Sequence, residues 1–354
     1  MLKLRRGIVV GADPLTVEVA GERRAAWADP ATVGGCEVGD EVVVNTAAVD
    51  LGLGSGGFDV VHVNLTRGLE GGEVSEGVHV MKLNYTSLQH PVDPIEPRAG
   101  AEDAEPLPAM PVLVLHLHGQ LAPALWAAAA ARPGLRIGFV QTPGGALPAS
   151  LSRDVRTLRE GGLLAEQISA GPAHGAQYEA ISVVGALDAA ARRLGWDAAV
   201  AGPGPGILGS ESRLGHGGMA ALDTAHAALA LGLPTLLAPR LSSGDPRPRH
   251  RGLSHHTRTV LELLLGPVRV PVPETDAEGW PDAESPDEAL AELIEVTKGR
   301  HDLAVERIDL EGYGASGLPA RTMGRGIPED PLFFAAALAA GAALAGAVNV
   351  EEAA

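Results

Sequence analysis

The stretch "HPVDPIEPRAGAEDAEPLPAMP", residues 90–111, separates two parts of the chain that have different patterns. Its six prolines and its acidic residues are typical of a linker, because proline interrupts both helices and sheets. The length of 354 residues is also sufficient for two domains. The sequence therefore predicts four parts: a domain over 1–90, a proline-rich linker over 91–110, a second domain over 111–348 and a tail over 349–354.

The residues before the linker have the pattern of short β-strands. Valine-rich segments are separated by glycine, aspartate and proline, which favour turns. They are "GIVVGA" (7–12), "LTVEVAG" (15–21), "GDEVVVNTAA" (39–48), "FDVVHVNL" (58–65) and "VHVMKLNYTS" (78–87). Five or six strands of this length predict a small all-β barrel.

After the linker, short apolar runs alternate with helices rich in alanine and leucine. The runs are "VLVLHLH" (112–118), "LRIGFVQT" (135–142), "LLAEQIS" (163–169), "DAAVAG" (197–202), "PTLLAPR" (234–240), "VRVPVP" (268–273) and "LAVERIDL" (303–310). This alternation predicts an α/β domain with a doubly wound, mostly parallel, Rossmann-like sheet that helices cover on both faces.

Composition and charge exclude several classes of protein. The formal net charge of -17 argues against a nucleic-acid partner, which needs a basic face. A single cysteine rules out an internal disulfide and a cysteine-based zinc cluster, and it suits a reducing cytoplasm. The uncharged segment 331–348 is mostly alanine and glycine, so it predicts a buried helix with Asp330 as N-cap rather than a membrane span. We expect a cytoplasmic protein, and a homo-oligomer is compatible with the sequence.

Polar residues follow the predicted strands at the edge where ligands bind in such sheets. Seven of the eight histidines between residues 116 and 256 lie in these positions, which predicts a shared ligand site. The residues that we expect to line it, besides those of the basic stretch below, are Thr142, His174, Gly204, Gly206, Gly209, Ser210 and Ser212. The alternative interpretation is that loops are polar wherever they occur.

The stretch "RPRHRGLSHHTRTV", residues 247–260, holds four arginines and three histidines without an acid. Ser254 is a good N-cap for a helix that begins at His255, and a helix N-terminus favours an anion. Arginine adds bidentate recognition of phosphate or carboxylate. The stretch therefore predicts an anion site, whose residues are Arg249, Arg251, Ser254, His255 and His256. A solvated loop that balances the acidic surface is the alternative.

Proton transfer and metal binding have separate candidate residues. Glu211 is a lone acid in a glycine-rich loop and is a candidate general base, as is His216; Glu211 could instead pair with an arginine. His116 and His118 are two residues apart, which places both on one face of an extended chain and predicts a site for a divalent metal ion, with His174, His216 or Glu211 as a third ligand. The alternative is that His118 hydrogen-bonds a neighbouring loop.

The glycines at 204, 206 and 209 match G-x-G-x-x-G literally. They follow the fourth strand of the domain rather than the first, and prolines interrupt them. A nicotinamide dinucleotide is therefore disfavoured as a cofactor.

Three motifs resemble one family of bacterial proteins. "VMKLNYTSLQ" (80–89), "RHRGLSHHT" (249–257) and "MGRGIPEDPLFF" (323–334) occur in the order found in the family known as domain of unknown function 3866. The resemblance covers nearly the whole chain. It implies a soluble bacterial protein of one stable architecture, and it assigns no activity, cofactor or catalytic residue.

Together these patterns favour an enzyme, either a transferase or a hydrolase, that acts on a small phosphorylated or carboxylated metabolite at the strand ends. The alternative is a non-catalytic protein. It would be a ligand sensor, or a scaffold whose β-barrel binds another protein.

Overall fold

The computed structural model describes residues 2–53, 56–69, 71–72, 78–97, 106–274 and 287–348. They belong to two compact units, Met1–Asp93 and Pro94–Ala354. The tail predicted over 349–354 lies outside the described residues, as do residues 98–105 of the predicted linker.

The first unit contains a closed barrel of five strands. In chain order its elements are β1 (Leu4–Ala12), β2 (Leu15–Val19), β3 (Glu22–Trp27), β4 (Glu41–Asn45), α1 (Ala47–Asp50) and β5 (Asp59–Asn64). The strands are arranged β1-β2-β3-β5-β4, and every pair is antiparallel except β3 with β5. Valines alternate into a small core, among them Val9, Val17, Val42, Val44 and Val61, which confirms the predicted barrel.

Two details of this unit differ from the prediction. Strand β3 was not among the predicted segments, because its sequence "ERRAAW" is charged rather than valine-rich. An ion pair helps to hold it, since Nε of Arg24 donates to the buried carboxylate of Asp59 on β5 at 2.5 Å. The segment 78–87, predicted as a barrel strand, instead supplies β6 (Val80–Lys82), which pairs with β7 (His90–Val92) in a separate sheet of two strands.

The second unit is built on a sheet of eight parallel strands. The strands of this unit, including two that lie outside the large sheet, are in chain order β8 (Val112–Val114), β9 (Ile137–Thr142), β10 (Gln167–Ala170), β11 (Tyr178–Ala180), β12 (Ala198–Pro203), β13 (Thr235–Leu237), β14 (Leu241–Ser242), β15 (Gly252–Leu253), β16 (Arg269–Pro273) and β17 (Asp302–Glu306). The sheet has the order β11-β10-β9-β12-β8-β13-β16-β17, and β14 pairs with β15 separately. Each of the seven predicted runs supplies one strand; β11 is the eighth.

Helices cover both faces of this sheet, as the sequence predicted. They are α2 (Leu121–Ala131), α3 (Arg153–Glu160), α4 (Val183–Arg192), α5 (Ala220–Ala230), α6 (His255–Leu263), α7 (Asp287–Thr297), α8 (Leu310–Ala315) and α9 (Pro331–Ala347). One apolar core lies between the sheet and α2, α3 and α9, and another lies between the sheet and α4, α5, α6 and α7. The domain is therefore doubly wound.

The connections that leave the neighbouring strands β8 and β12 run in opposite directions on opposite faces of the sheet. From β8 the chain passes through α2 to β9, which lies beyond β12. From β12 it passes through α5 to β13, which lies beyond β8 on the opposite side. Such a switch point opens a crevice at the carboxyl ends of the two strands, where ligands bind in open α/β sheets.

Helix α9 is buried along nearly its whole length, as its alanine-rich sequence predicted. Asp330 and Pro331 are its N-cap and first residue. The helix packs on α2 so closely that a Cβ at Gly341 would overlap the backbone of Ala124. Among the described residues, no helix is both long and apolar enough to cross a membrane.

Gly341→Ala should therefore destabilise the protein, whereas Gly346→Ala should not. A methyl group at residue 341 forces α9 away from α2, and overpacking of this kind costs about 1–3 kcal/mol. A Cβ at Gly346 in the same helix meets nothing within 4 Å, so the better helix propensity of alanine should add up to about 1 kcal/mol. Urea unfolding of both variants measures the difference. Equal effects would show that the close approach of the helices is unimportant.

Candidate functional site

Four histidines from two segments meet beyond the carboxyl ends of β12 and β13, and we call them the histidine cluster. They are His216, His250, His255 and His256. The rings of His216 and His256 are stacked, with centroids 3.7 Å apart and planes at 10°. The ring of His255 lies 5.1 Å from His216, and His250 lies 4.9 Å from His255. Two of the regions that the sequence placed at strand ends therefore do converge.

The start of α6 is held in place by its own cap and by the end of β13. Ser254 is the N-cap, as predicted, and its Oγ accepts a hydrogen bond from the backbone of His256 and bonds Nδ1 of His250 at 2.8 Å. The Arg240 carbonyl accepts from the backbone N–H of Ser254, and the Arg240 N–H donates to Thr257 Oγ1. These bonds fix both the histidines of α6 and the backbone of Arg240.

Glycines in the turns after β9 and β12 let these loops pack backbone against backbone. A Cβ at Gly145 would overlap the carbonyl of Gly204, and one at Gly217 would overlap the carbonyl of Gly144. Gly206 has φ of +72°, a conformation that glycine adopts without strain. The literal G-x-G-x-x-G thus has a packing explanation, and the packed turns position His216.

The histidines are uncharged at neutral pH because the fold buries them. Burial lowers the pKa of His250 to about 3 and that of His255 to about 4, and the positive charge of Arg240 acts in the same direction. The pKa values of His216 and His256 are also lowered, first by burial. His116, at the end of β8, is fully buried, and burial lowers its pKa to about 3; the neighbouring Arg240 and His216 contribute. Neutral imidazole can accept a proton or bind a metal ion.

A buried network of arginines and aspartates lies against the cluster. The Asp245 carboxylate is fully buried and accepts from Arg240 at 3.2 Å, from Arg247 at 2.8 Å and from Arg325 at 3.3 Å. Arg325 also donates to Asp330 at 3.0 Å. Three cations share two carboxylates, so the network carries a net positive charge.

Arg240 connects this network to the cluster. Its Nη1 donates to Nδ1 of His256 at 3.2 Å. The Arg240 side chain is only 4% exposed. Burial lowers its pKa to about 10, and the negative charge of Asp245 limits this decrease. The arginine therefore stays charged at neutral pH and keeps His256 neutral.

Arg249 has unused donor capacity. Its Nε is buried and has no hydrogen-bond partner among the described residues. Its Nη1 makes a contact of 3.4 Å with Glu211, whose side chain is 89% exposed. Such an exposed pair contributes little to stability, so an anionic ligand could take the place of the glutamate.

The remaining residues that the sequence predicted are placed differently. Glu211 lies on the surface and contacts Arg249 rather than a histidine. Arg251 is exposed and forms no ion pair with a described residue. Ser210 and Ser212 bond each other at 2.8 Å in an exposed turn, together with the backbone of Gly215.

Other predicted residues are buried in local contacts. Thr142 donates to the neighbouring Pro143 carbonyl, and Nδ1 of His174 donates to the Pro172 carbonyl at 3.2 Å. His118 Nδ1 donates to the carbonyl of Pro203 at 3.1 Å, and its Nε2 accepts from Ser152 Oγ at 2.6 Å. Since both ring nitrogens of His118 are engaged, the structure gives it no free atom for a metal ion.

Sequence reasoning missed the residues that organise the site. These are Arg240, Asp245, Arg325 and Asp330. Arg240 lies three residues after the end of the buried strand β13, so the rule that ligands bind at strand ends could have found it. Nothing in the sequence pairs Arg325 with Asp245, because they are 80 residues apart and come from different loops.

One group in the described part of the chain could hold a metal ion. It consists of His216, His255 and His256, and one potential ligand atom from each lies within 4.8 Å of the others. This is not the pair His116 and His118 that the sequence predicted, although His116 lies close enough to interact electrostatically with His216 and His256.

The parallel, doubly wound sheet with a site at its switch point defines an α/β protein of the Rossmann-like class, with a small β-barrel in the preceding unit. A family model described as "Protein of unknown function (DUF3866)" matches residues 25–341. The chain belongs to this family, which confirms the resemblance carried by its three motifs. No curated protein and no solved structure matches the chain.

Asp245→Asn should be strongly destabilising. It leaves the buried guanidinium of Arg240 without a carboxylate, and breaking a buried pair costs about 3–5 kcal/mol. Glu211→Gln, which removes an exposed carboxylate, should change the free energy of unfolding by less than about 0.5 kcal/mol. Denaturant unfolding of the two variants checks this. A small effect at Asp245 would mean that the network does not depend on its shared carboxylate.

Acidification below pH 6.5 should also destabilise the protein. The pKa of His116 is about 3 when folded and about 6.5 when unfolded, so the unfolded state binds more protons as the pH falls between these values. The stabilisation that comes from keeping His116 neutral is fully present above pH 6.5. About 2 kcal/mol of this contribution to the free energy of unfolding is lost between pH 7 and pH 5. When urea unfolding is measured at pH 7 and at pH 5, the free energy of unfolding of His116→Leu should decrease less than that of the wild type, by about this amount. An identical decrease in both proteins would rule out this role.

Proposed function

We propose that the protein is an enzyme, a hydrolase or a transferase, that acts on a small phosphorylated or carboxylated metabolite at the histidine cluster. The observation that carries the proposal is Arg249. It is a cation beside the cluster. Among the described residues its buried Nε has no hydrogen-bond partner, and its ion pair is with an exposed glutamate. A bound phosphate or carboxylate would satisfy this donor and could be held by two parallel hydrogen bonds.

The surrounding charge supports an anionic substrate. Arg240, Arg247 and Arg325 outnumber Asp245 and Asp330, although the whole chain is strongly acidic. A positive site in an acidic protein attracts a small anion locally while the rest of the surface repels nucleic acid. The position at the switch point is the usual one for a ligand in this class of fold.

Candidate groups for proton transfer follow from the same geometry. The sequence favoured Glu211 and His216 as general bases, and of these only His216 lies in the cluster. Its Nε2 donates to the Arg213 carbonyl at 3.0 Å, which leaves the lone pair of Nδ1 free, and Nδ1 has no partner among the described residues. Glu211 instead lies at the surface beside Arg249. The substrate anion would replace its carboxylate as the partner of Arg249.

The test compares Arg249→Gln with Arg251→Gln. Metal-free protein is titrated with inorganic phosphate and with acetate in a calorimeter. We expect the wild type to bind one of them, Arg249→Gln to lose about 10- to 100-fold in affinity, and Arg251→Gln to bind normally. Arg251 is the matched control because it lies in the same loop but is exposed, and it forms no ion pair within the part of the chain that the structure describes.

Turnover separates an enzyme from a sensor. The wild type is incubated with a pool of phosphate monoesters and carboxylic esters, and the release of phosphate or acid is measured with and without Arg249→Gln. Release that depends on Arg249 supports the enzyme. Binding without turnover of any ester would exclude the hydrolase and leave the transferase and the ligand sensor, and the absence of both binding and turnover would refute the anion site.

A further inference from the structure

We propose that His216, His255 and His256 bind a divalent transition-metal ion, and that zinc is the ion that these three imidazoles suit best. The role of the ion in turnover rests on the proposed function, although its binding does not. Catalytic zinc sites commonly use three protein ligands and leave a fourth position for water or substrate.

The geometry places three ligand atoms around one point. They lie within 4.8 Å of one another, whereas tetrahedral zinc with bonds of about 2.0–2.1 Å needs nitrogens roughly 3.3 Å apart. Side-chain rotation must close this difference, and it must also take His216 and His256 out of their stack, because lone pairs that lie in two parallel ring planes do not converge on one ion. A Cβ at Gly218 would lie 2.9 Å from Nδ1 of His256 and 3.0 Å from Nδ1 of His216, so both nitrogens face the space beside this glycine.

Two of the nitrogens are buried without a partner, which is costly unless something binds them. Nδ1 of His216 has a free lone pair, because the proton on Nε2 is held by the Arg213 carbonyl. Nε2 of His255 is likewise buried and unpaired among the described residues. A buried polar atom without a partner destabilises the folded protein, and a metal ion would satisfy both atoms at once.

The metal ion would compete with Arg240 for the third ligand atom, Nδ1 of His256. Arg240 donates to Nδ1 of His256, so coordination through this atom requires the guanidinium to move away. Arg240 would keep Asp245 as its partner, which makes the exchange tolerable. The low pKa values of the cluster also support ligation, because imidazole must be unprotonated to bind a metal. With the ion bound, His216 is a ligand and no longer a proton acceptor.

Direct titration with zinc tests this inference on the full chain after treatment with a chelator. We expect one zinc ion per chain, and a loss of about 100-fold or more in affinity for His255→Ala. His226→Ala is the control, because His226 lies on α5 and bonds the backbone of Leu265 outside the cluster. Gly218→Ala should weaken binding without removing a ligand, since its methyl group occupies the space beside the two Nδ1 atoms. Circular dichroism confirms that each variant is folded.

Three results would overturn the metal site. They are no zinc bound by the wild type, wild-type affinity in both His255→Ala and Gly218→Ala, or a loss of binding in His118→Asn rather than in His255→Ala. Phosphate and acetate binding by the metal-free protein is measured in parallel. Anion binding without zinc binding would defeat only this inference, whereas zinc binding without either anion would defeat only the proposed function.

Discussion

The buried carboxylate of Asp245 is the interaction on which the site depends. It accepts from three guanidinium groups, and these come from the end of β13, the basic loop and the loop before α9. Without it, the cations of Arg240, Arg247 and Arg325 would repel one another in a region of low dielectric. With it, Arg240 is held where it reaches His256, so one acid both assembles the loops and sets the charge of the cluster.

The fold could be predicted because its pattern is local. Each strand of the large sheet except β11 is an apolar run between turn residues, and such runs can be recognised without knowledge of their neighbours. Strand β3 could not, because an ion pair between Arg24 and Asp59 takes the place of an apolar alternation. His116 and His118 do not share the extended strand that their spacing assumes, because β8 ends at Val114 and a turn of 3₁₀ helix begins at His118.

The site could be predicted only in part, because it depends on which loops meet. The sequence showed that His216 follows one strand and that His255 and His256 begin a helix, but their contact depends on the order of the strands in the sheet. Arg249 and Arg251 illustrate the same limit. They are two residues apart in one basic loop, yet one lies against the cluster with a buried nitrogen and the other is exposed to solvent. Residue type and spacing do not distinguish them.

The hydrogen bonds of Asp330 affect the order in which the protein can fold during its synthesis on the ribosome. Its carboxylate accepts from Ser242, from the backbone of Ser243 and Gly244, and from Arg325, so the loop after β13 is fastened to the first turn of α9. All the histidines of the cluster have been synthesised some 70 residues earlier. A nascent chain therefore carries the histidines of the cluster before it can lock them in place, and their surroundings are completed only when α9 emerges.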